Sequence, residues 1–432
     1  MKVLVIGGGG REHAIAWRVK QSERIEEVLV APGNAGTALE PGIRNVDIAA
    51  TDIAALLALA QAEQIDLTIV GPEQPLVAGI CDRFSEAGLR CFGPDRQASQ
   101  LEGSKAFTKD FLSRHGIPTA DYATFTNHDD ACAYVRGRRF PLVVKADGLA
   151  AGKGVVIAQN LEEAIAAISS MINDRRFGDA GGEIVIEDFL VGEEASFIVL
   201  TDGQHVIPLA TSQDHKARDN GDMGPNTGGM GAYSPAPVVT DEITDRVMRE
   251  VIQPTLDGLR ADGITYRGFL YAGLMIDDHG VAKVLEFNCR LGDPETQPLM
   301  LRLQSDLAAL CDAVIDGNLH EQQVSWNPDT ALGVVLAADG YPESYQKQIP
   351  LGDLHAADIE YDVKTFHAGT ALADDQLLSS GGRVVCVTAL GDSVCAAAEK
   401  AYRAVAHIQC DGLFKRDDIG HRAISRERRS RS

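Results

Sequence analysis

Short apolar runs that stop at glycine, alternating with amphipathic stretches, set the pattern of the first hundred positions. Lys2–Ile6 is such a run; it meets Gly7-Gly8-Gly9-Gly10-Arg11-Glu12-His13, and a helical pattern follows over Ala14–Lys20. Glu27–Ala31 ends in Pro32-Gly33, Ile65–Val70 in Gly71-Pro72-Glu73-Gln74-Pro75, and Leu89–Phe92 in Gly93-Pro94. Apolar strands alternating with helices predict a doubly wound parallel sheet with ligands at its carboxyl edge. The loops Gly7–Arg11, Pro32–Gly36 and Gly71–Pro75 should share that edge. Helix-start N–H groups beside glycine make an anion site there, expected to take a small phosphorylated ligand. A dinucleotide fingerprint fails, because G-x-G-x-x-G from Gly7 would need glycine where Glu12 stands.

The pattern then changes. Gly103-Ser104-Lys105 opens a helix over Ala106–Arg114, stopped by His115-Gly116-Ile117-Pro118. Pro141–Lys145 is a strand ending in lysine, followed by glycines at 148, 152 and 154. Gly148 is one residue too close to Gly152 for a Walker A loop, and Gly154 replaces the hydroxyl that would hold Mg²⁺. What remains is a glycine hairpin between Leu142–Lys145 and Gly154–Ala158, able to fold over a triphosphate with Lys145 and Lys153 as point charges. Glu183–Ile186 is a further strand, leading to Glu187-Asp188-Phe189-Leu190 and then Gly192–Ser196. A carboxylate past a strand end beside apolar residues fits a purine pocket, with the acid on the ribose hydroxyls. Phe197–Leu200 is a buried strand.

Ser212–Pro237 carries little periodicity, yet it has turn chemistry with apolar Met223 and Met230. Segments of that length in a compact domain are usually functional. An ordered active-site loop is expected, with Lys216 and Arg218 on phosphate and Asp214 on an ammonium. Gly268–Ile276 returns through Asp278-His279-Gly280 to Lys283–Phe287. In that last strand Glu286 and Asn288 share a face, and Arg290 continues the row. Carboxylate and carboxamide oxygens suit Mg²⁺ held with substrate phosphates. Arg290 suits a carboxylate or a phosphate. From Asn327 onward, strands at Leu332–Ala337, Val363–Phe366 and Arg383–Ala389 and an amphipathic helix at Ser393–Ile408 predict a small α+β domain. His367-Ala368-Gly369-Thr370 could close the site from one side.

Composition narrows the function classes. At 432 residues, about three domains are expected. A formal net charge of −22 excludes a broad phosphate-backbone footprint, so no nucleic acid partner is expected. The basic run Arg422–Arg431 is expected to be a solvated tail. The eight cysteines form no C-x-x-C pair, which points to reduced thiols and a cytoplasmic protein. Met1–Ile6 is too short for a signal peptide, and no apolar run approaches the ~20 residues of a membrane span.

Taken together, Gly9-Gly10-Arg11-Glu12-His13-Ala14, Ala31–Thr37, Gly71-Pro72-Glu73 and Leu101–Lys105 resemble the glycinamide ribonucleotide synthetase family of the ATP-grasp ligases. So do Lys145–Gly154, Gln213–Lys216, Gly224–Gly231 and Arg290-Leu291-Gly292-Asp293-Pro294-Glu295. The similarity runs from Met1 to about Ile424, with departures at Gly8 and over Arg218–Met223. It implies an α/β and α+β multidomain chain: an N-terminal doubly wound parallel sheet (1–102), a central ATP-grasp fold (103–326) with a hinged lid at about 119–192, and a small C-terminal α+β domain (327–432). It also implies ATP as co-substrate, Mg²⁺ or Mn²⁺, and glycine and 5-phosphoribosylamine as substrates, in a monomer.

By the resemblance, Glu286 and Asn288 are metal ligands, and Lys105, Lys145, Glu187, Leu190 and Glu194 contact ATP. The residues around these add Gly148, Lys153, Phe189 and Leu285 to the expected nucleotide site. Gly9, Gly10, Arg11, Gly33, Asn34, Gly36, Pro72, Glu73 and Gly228 are expected at the substrates. A glycine carboxylate resists direct attack by an amine, so activation to glycyl phosphate is expected, without a protein nucleophile. Arg290 is expected to clamp the acyl phosphate with Lys216 nearby, and Asp214 or Asp293 to hold the glycine ammonium. Two alternatives stay open on sequence alone: another ATP-grasp ligase, such as a carboxylase or a ribonucleotide transformylase, and a dinucleotide-binding regulator.

Overall fold

The computed structural model describes residues 1–149, 154–174, 182–359, 361–374 and 376–431. Its N-terminal sheet contains β1 (Lys2–Gly7), β2 (Glu27–Pro32), β3 (Ile43–Asn45), β4 (Leu67–Val70) and β5 (Cys91–Phe92), in the order β3-β2-β1-β4-β5. All four pairings are parallel. The strand order reverses at β1, so the crevice between the ends of β1 and β4 is the switch point where ligands of such sheets sit. β1 explains its own apolar run. Val3 and Val5 face one core cluster and Leu4 and Ile6 the other, so both faces of the strand are buried.

A second, antiparallel sheet runs β6-β9-β7-β8, from β6 (Tyr122–Phe125), β7 (Leu142–Ala146), β8 (Val155–Ala158) and β9 (Ile184–Asp188). With the helices His128–Val135 and Leu161–Ile172 it has its own apolar cluster, including Val144, Ile168 and Ile186. Glu187 lies inside β9 and not beyond its end.

The central sheet is β11-β10-β16-β17, from β10 (Glu193–Thr201), β11 (Val206–Pro208), β16 (Gly268–Ile276) and β17 (Ala282–Asn288). Phe197 and Val199 of β10 join the Leu4 cluster, while Ile198 and Leu200 join the Val3 cluster. The N-terminal and central sheets therefore share their cores. β17 is not a strict alternator. Its register against β16 slips between Gly273 and Leu274, which pair with Glu286 and Val284, and Leu285 is left as the extra residue. Such a bulge re-aims side chains. Leu285 and Glu286, though consecutive, both reach the same cavity.

The segment from Ser212 to Pro237 is largely strand. β12 (Gln213–Asp214) and β15 (Gly231–Ser234) flank a hairpin of β13 (Ala217–Asp219) and β14 (Met223–Asn226). β12 and β15 belong to the C-terminal sheet, which continues with β18 (Thr330–Ala338), β22 (Arg383–Gly391) and β19 (Val363–His367). β23 (Leu413–Phe414) also pairs with β18, and β20 (Thr370–Ala373) and β21 (Gln376–Ser379) form a separate hairpin. A cut between 326 and 327 therefore divides this sheet, because β15 covers an edge of β18 that would otherwise be unpaired. The helix Val394–Val405 buries Val394, Ala397, Ala398, Ala401 and Val405 on it.

The basic C-terminal run is a helix, His421–Arg431, and not a frayed tail, with Arg422, Arg426, Arg428 and Arg429 exposed on it. Arg422 pairs with Asp222 and Arg426 with Glu193, 2.7 Å each. No helix among the described residues is long and apolar enough to cross a membrane.

Candidate active site

A cavity of about 370 Å³ opens where the N-terminal crevice, the β6-β9-β7-β8 sheet, β17 and the C-terminal sheet meet. Its floor is the end of β17. Burial alone would raise the Glu286 carboxyl, but Lys216, Lys145, Lys105 and Arg290 outweigh it and hold the group below the usual carboxylate range. Among the described residues, neither the Glu286 carboxylate nor the Asn288 carboxamide has a hydrogen-bond partner, although both line the cavity. An ionised carboxylate beside an unengaged amide oxygen fits a hard divalent cation. Across the sheet stands Gly273; a Cβ there would come 3.3 Å from Glu286 Cγ, so the glycine leaves room for the acid.

Lysines surround this floor. Ser104 caps the helix Lys105–Arg114 by accepting from the Phe107 N–H, which fixes the first turn at the cavity. Lys105 Nζ donates to the carbonyls of Asp147 (3.2 Å) and Gly148 (3.1 Å), and burial lowers its pKa. Lys145, at the end of β7, donates to the Leu285 carbonyl at 3.3 Å and pairs with Glu187 Oε1 at 2.6 Å. The other oxygen of Glu187 pairs with Lys109 at 2.7 Å. Glu187 is thus a partner for lysines: Oε2 accepts a hydrogen bond from Lys109, while Oε1 is ion-paired with Lys145 without one. Lys216 pairs with Glu194 and lies 3.9 Å from Glu286. Burial opposes its charge, but Glu194, Asp214 and Glu286 raise its pKa well above the ordinary value.

Arg290 reaches the cavity already engaged. It pairs with Glu102 at 2.5 Å and Glu73 at 3.3 Å, and donates to the Leu291 carbonyl. Only part of its charge is therefore available to a ligand. Burial raises the Glu102 carboxyl above its usual range even with Arg290 beside it. Asp214 is raised well above the carboxylate range by burial, with Glu295, Glu194 and Glu286 adding like charge against Lys216. An arriving ammonium would draw it back towards the ionised form. Asp293 behaves in the opposite way. Burial raises it, but Arg383 and Arg11 hold it low, and it accepts from Gln297 and the Arg11 N–H.

Asp293 and Arg383 also line a second cavity, of about 380 Å³, against Gly9, Gly33, Asn34, Tyr341 and the turns at 368–370 and 380–382. Of the His367–Thr370 stretch, Ala368, Gly369 and Thr370 line this second cavity. Arg383 donates to the carbonyls of Gly228, Gly229 and Asp293, tying the long loop to the Asp293 turn.

Of the expected residues, Arg11, Glu73, Gly228 and Leu285 line the first cavity, and Gly9, Gly33 and Asn34 the second. Gly10, Pro72, Gly148, Phe189, Leu190 and Glu194 line neither. Gly10 and Pro72 begin helices, Gly148 contributes its carbonyl to Lys105, and Glu194 acts through Lys216. Gly36 is a packing position, since a Cβ there would fall within 2.5 Å of His13 and His367. Lys153 lies outside the described residues. Sequence reasoning missed Lys109, Glu102, Tyr271, Glu295 and Arg383. Lys109 carried a signal, because it follows Lys105 by one helical turn on the same face.

The chain matches the phosphoribosylglycinamide synthetase N domain over residues 1–102, its ATP-grasp (A) domain over 103–296 and its C domain over 331–422. It is 61% identical over 428 residues to the phosphoribosylamine–glycine ligase of Allochromatium vinosum, covering 99% of this chain and 100% of that one. It is 62% identical over 428 residues to the Salmonella typhimurium protein of the same name, with the same coverage. The crystal structure of Thermotoga maritima phosphoribosylamine–glycine ligase is similar at TM-score 0.83 and 32% identity, covering 97% of this chain and 100% of that one. The biotin carboxylase domain of Hydrogenobacter thermophilus 2-oxoglutarate carboxylase shares the fold alone, at TM-score 0.73 and 16% identity, over 96% of this chain and 91% of that one.

Proposed function

The chain belongs to the phosphoribosylglycinamide synthetase family, and from that premise we propose how its residues divide the reaction. It is an ATP-dependent carboxylate–amine ligase of de novo purine biosynthesis that joins glycine to 5-phosphoribosylamine. ATP occupies the first cavity between the β6-β9-β7-β8 sheet and β17, with its phosphates towards Lys105, Lys145 and Lys216. Glu286 and Asn288 would hold Mg²⁺ or Mn²⁺, whose chemistry is to neutralise charge on phosphate oxygens. The observation that carries this reading is the floor itself: an ionised carboxylate and an unpartnered carboxamide, surrounded by lysines.

A glycine carboxylate oxygen attacks the γ-phosphorus of ATP in line, and the bond to the β,γ-bridging oxygen breaks. The products are glycyl phosphate and ADP. Arg290, steadied by Glu102 and Glu73, and Lys216 balance charge on the transferring group. Asp214, set beside Tyr271 and Glu295, is the acid assigned to the glycine ammonium. Asp293 is too occupied by Arg383 and Arg11 to be the better candidate. The second cavity takes the phosphoribosyl group, with Gly9, Gly33 and Asn34 around it and Arg383 at the junction. Its amine then attacks the acyl carbon of glycyl phosphate, and phosphate leaves. The protein supplies orientation and electrostatics, and no covalent enzyme intermediate is formed.

The eight cysteines are free, in keeping with a cytoplasmic enzyme. The test is ADP release with glycine and freshly made phosphoribosylamine, each omitted in turn. Turnover should require glycine. ADP release indifferent to glycine would overturn the reading, and release dependent on bicarbonate would favour a carboxylase.

A further inference from the structure

We infer that Lys109 is a positioning residue for nucleotide binding: it holds the Glu187 carboxylate so that the Lys145 ammonium can leave it for a phosphate oxygen. The inference rests on the nucleotide reading of the first cavity. Its basis is a buried triad drawn from three elements. Lys109 lies on the helix Lys105–Arg114, Lys145 on β7 and Glu187 on β9, with side chains 3%, 9% and 3% exposed. Each carboxylate oxygen takes one lysine, Oε2 with Lys109 at 2.7 Å and Oε1 with Lys145 at 2.6 Å. The triad therefore carries one positive charge beyond neutrality, and it faces the cavity.

The two lysines are not equivalent. Lys109 has a second acceptor at 2.7 Å, the Thr119 hydroxyl, which in turn donates to the Val284 carbonyl at 2.7 Å. It is pinned from two sides. Among the described residues Lys145 has only the Leu285 carbonyl at 3.3 Å besides Glu187, and it stands near the end of β7. If Lys145 turned to a phosphate without Lys109 present, Glu187 would be left as a buried, unpaired carboxylate, which is strongly unfavourable. With Lys109 present, Glu187 keeps a partner and Lys145 is free to move.

Four enzymes test this: wild type, Lys109→Met, Glu187→Gln and Lys109→Met/Glu187→Gln. Each is titrated calorimetrically with a non-hydrolysable ATP analogue and Mg²⁺, and assayed for kcat and KM(ATP). Lys109→Met should lose about tenfold or more in nucleotide affinity, with a matching rise in KM(ATP) and kcat within about threefold of wild type. Glu187→Gln serves as the reference for the double variant, which should bind within a few-fold of it, because no carboxylate is left to strand. A purely structural Lys109 would leave the double variant as weak as Lys109→Met, and that result overturns the inference. So does wild-type affinity in Lys109→Met. If Lys109→Met fails to fold, the comparison passes to Glu187→Gln against the double variant. Equal affinities there support the inference, and a tenfold gap overturns it. Lys145→Met separates the two levels. Wild-type affinity in Lys145→Met sinks the nucleotide reading and this inference with it. Weakened binding in Lys145→Met beside a neutral Lys109→Met sinks the inference alone.

Discussion

Glu286 has a carboxylate surrounded by four cations and no hydrogen bond among the described residues, so its charge is unspent in the protein alone. Replacing it by glutamine keeps the shape and removes the charge. Glu286→Gln should lower kcat by on the order of a hundredfold or more, while circular dichroism and the melting temperature stay close to wild type. Wild-type ADP release in this variant would remove Glu286 from the metal floor. Much of this residue scale was legible, because period-2 spacing put Glu286 and Asn288 on one face. What was not legible is how the neighbours are engaged. Arg290 reads in sequence as a free guanidinium, yet its partners Glu73 and Glu102 lie 217 and 188 residues away. Nor could spacing show the bulge at Leu285, since a slipped register depends on the partner strand.

The hairpin β13–β14 shows the same limit for whole elements. Its residues read as an ordered loop from turn chemistry, but the fixing comes from the far end of the chain. Asp222 accepts from Arg416 at 2.9 Å and Arg422 at 2.7 Å, and Arg416, fully buried, also holds Asp418 and the Ala217 carbonyl. His215, Asp222 and His421 are close enough together to suggest a metal site. Two contacts argue against one. The Gly420 N–H donates to His215 Nε2, which leaves the hydrogen on the ring nitrogen that faces Asp222, and two arginines already fill the carboxylate. The cluster is a latch. It holds the hairpin that follows Asp214 and Lys216 on the C-terminal segment. Asp222→Ala should therefore cost about 2–4 kcal/mol in a denaturant titration and lower kcat as Lys216 loosens. A stability within about 0.5 kcal/mol of wild type would mean the arginines hold the segment without it.

At the scale of the whole molecule, the N-terminal and central sheets share two apolar cores; the C-terminal domain adds Phe366 to one of them and meets the glycine loops through polar groups. There the His367 N–H donates to His13 Nδ1 at 2.8 Å, and the Asn34 side chain donates to the His367 carbonyl at 2.9 Å. This contact was not readable from the chain, because its halves are over three hundred positions apart. Burial pushes the His367 imidazole down to about 2, with His13, His355 and Lys364 adding to it. Burial also lowers His13, against the pull of Glu40. In both, the folded pKa lies below the unfolded value of about 6.5, so the unfolded chain takes up protons first. Their contribution is complete above pH ~6.5 and falls with acidification, by up to about 1.4 kcal/mol per pH unit for each histidine. His355, raised by Asp358, works the other way, as one group against two. Glu40 has the opposite burial effect overcome by His13 and Lys364, which hold it at about 2, so its contribution is lost only below pH ~4.5. The interval between about pH 6.5 and 4.5 therefore separates these histidines from Glu40. Among the described residues His367 Nε2 has no hydrogen-bond partner, so His367→Gln removes a titrating group at modest structural cost. Melting temperatures measured from about pH 7.5 to 5 should fall less steeply in His367→Gln than in wild type. Parallel slopes would show that the domain contact does not carry the acid sensitivity.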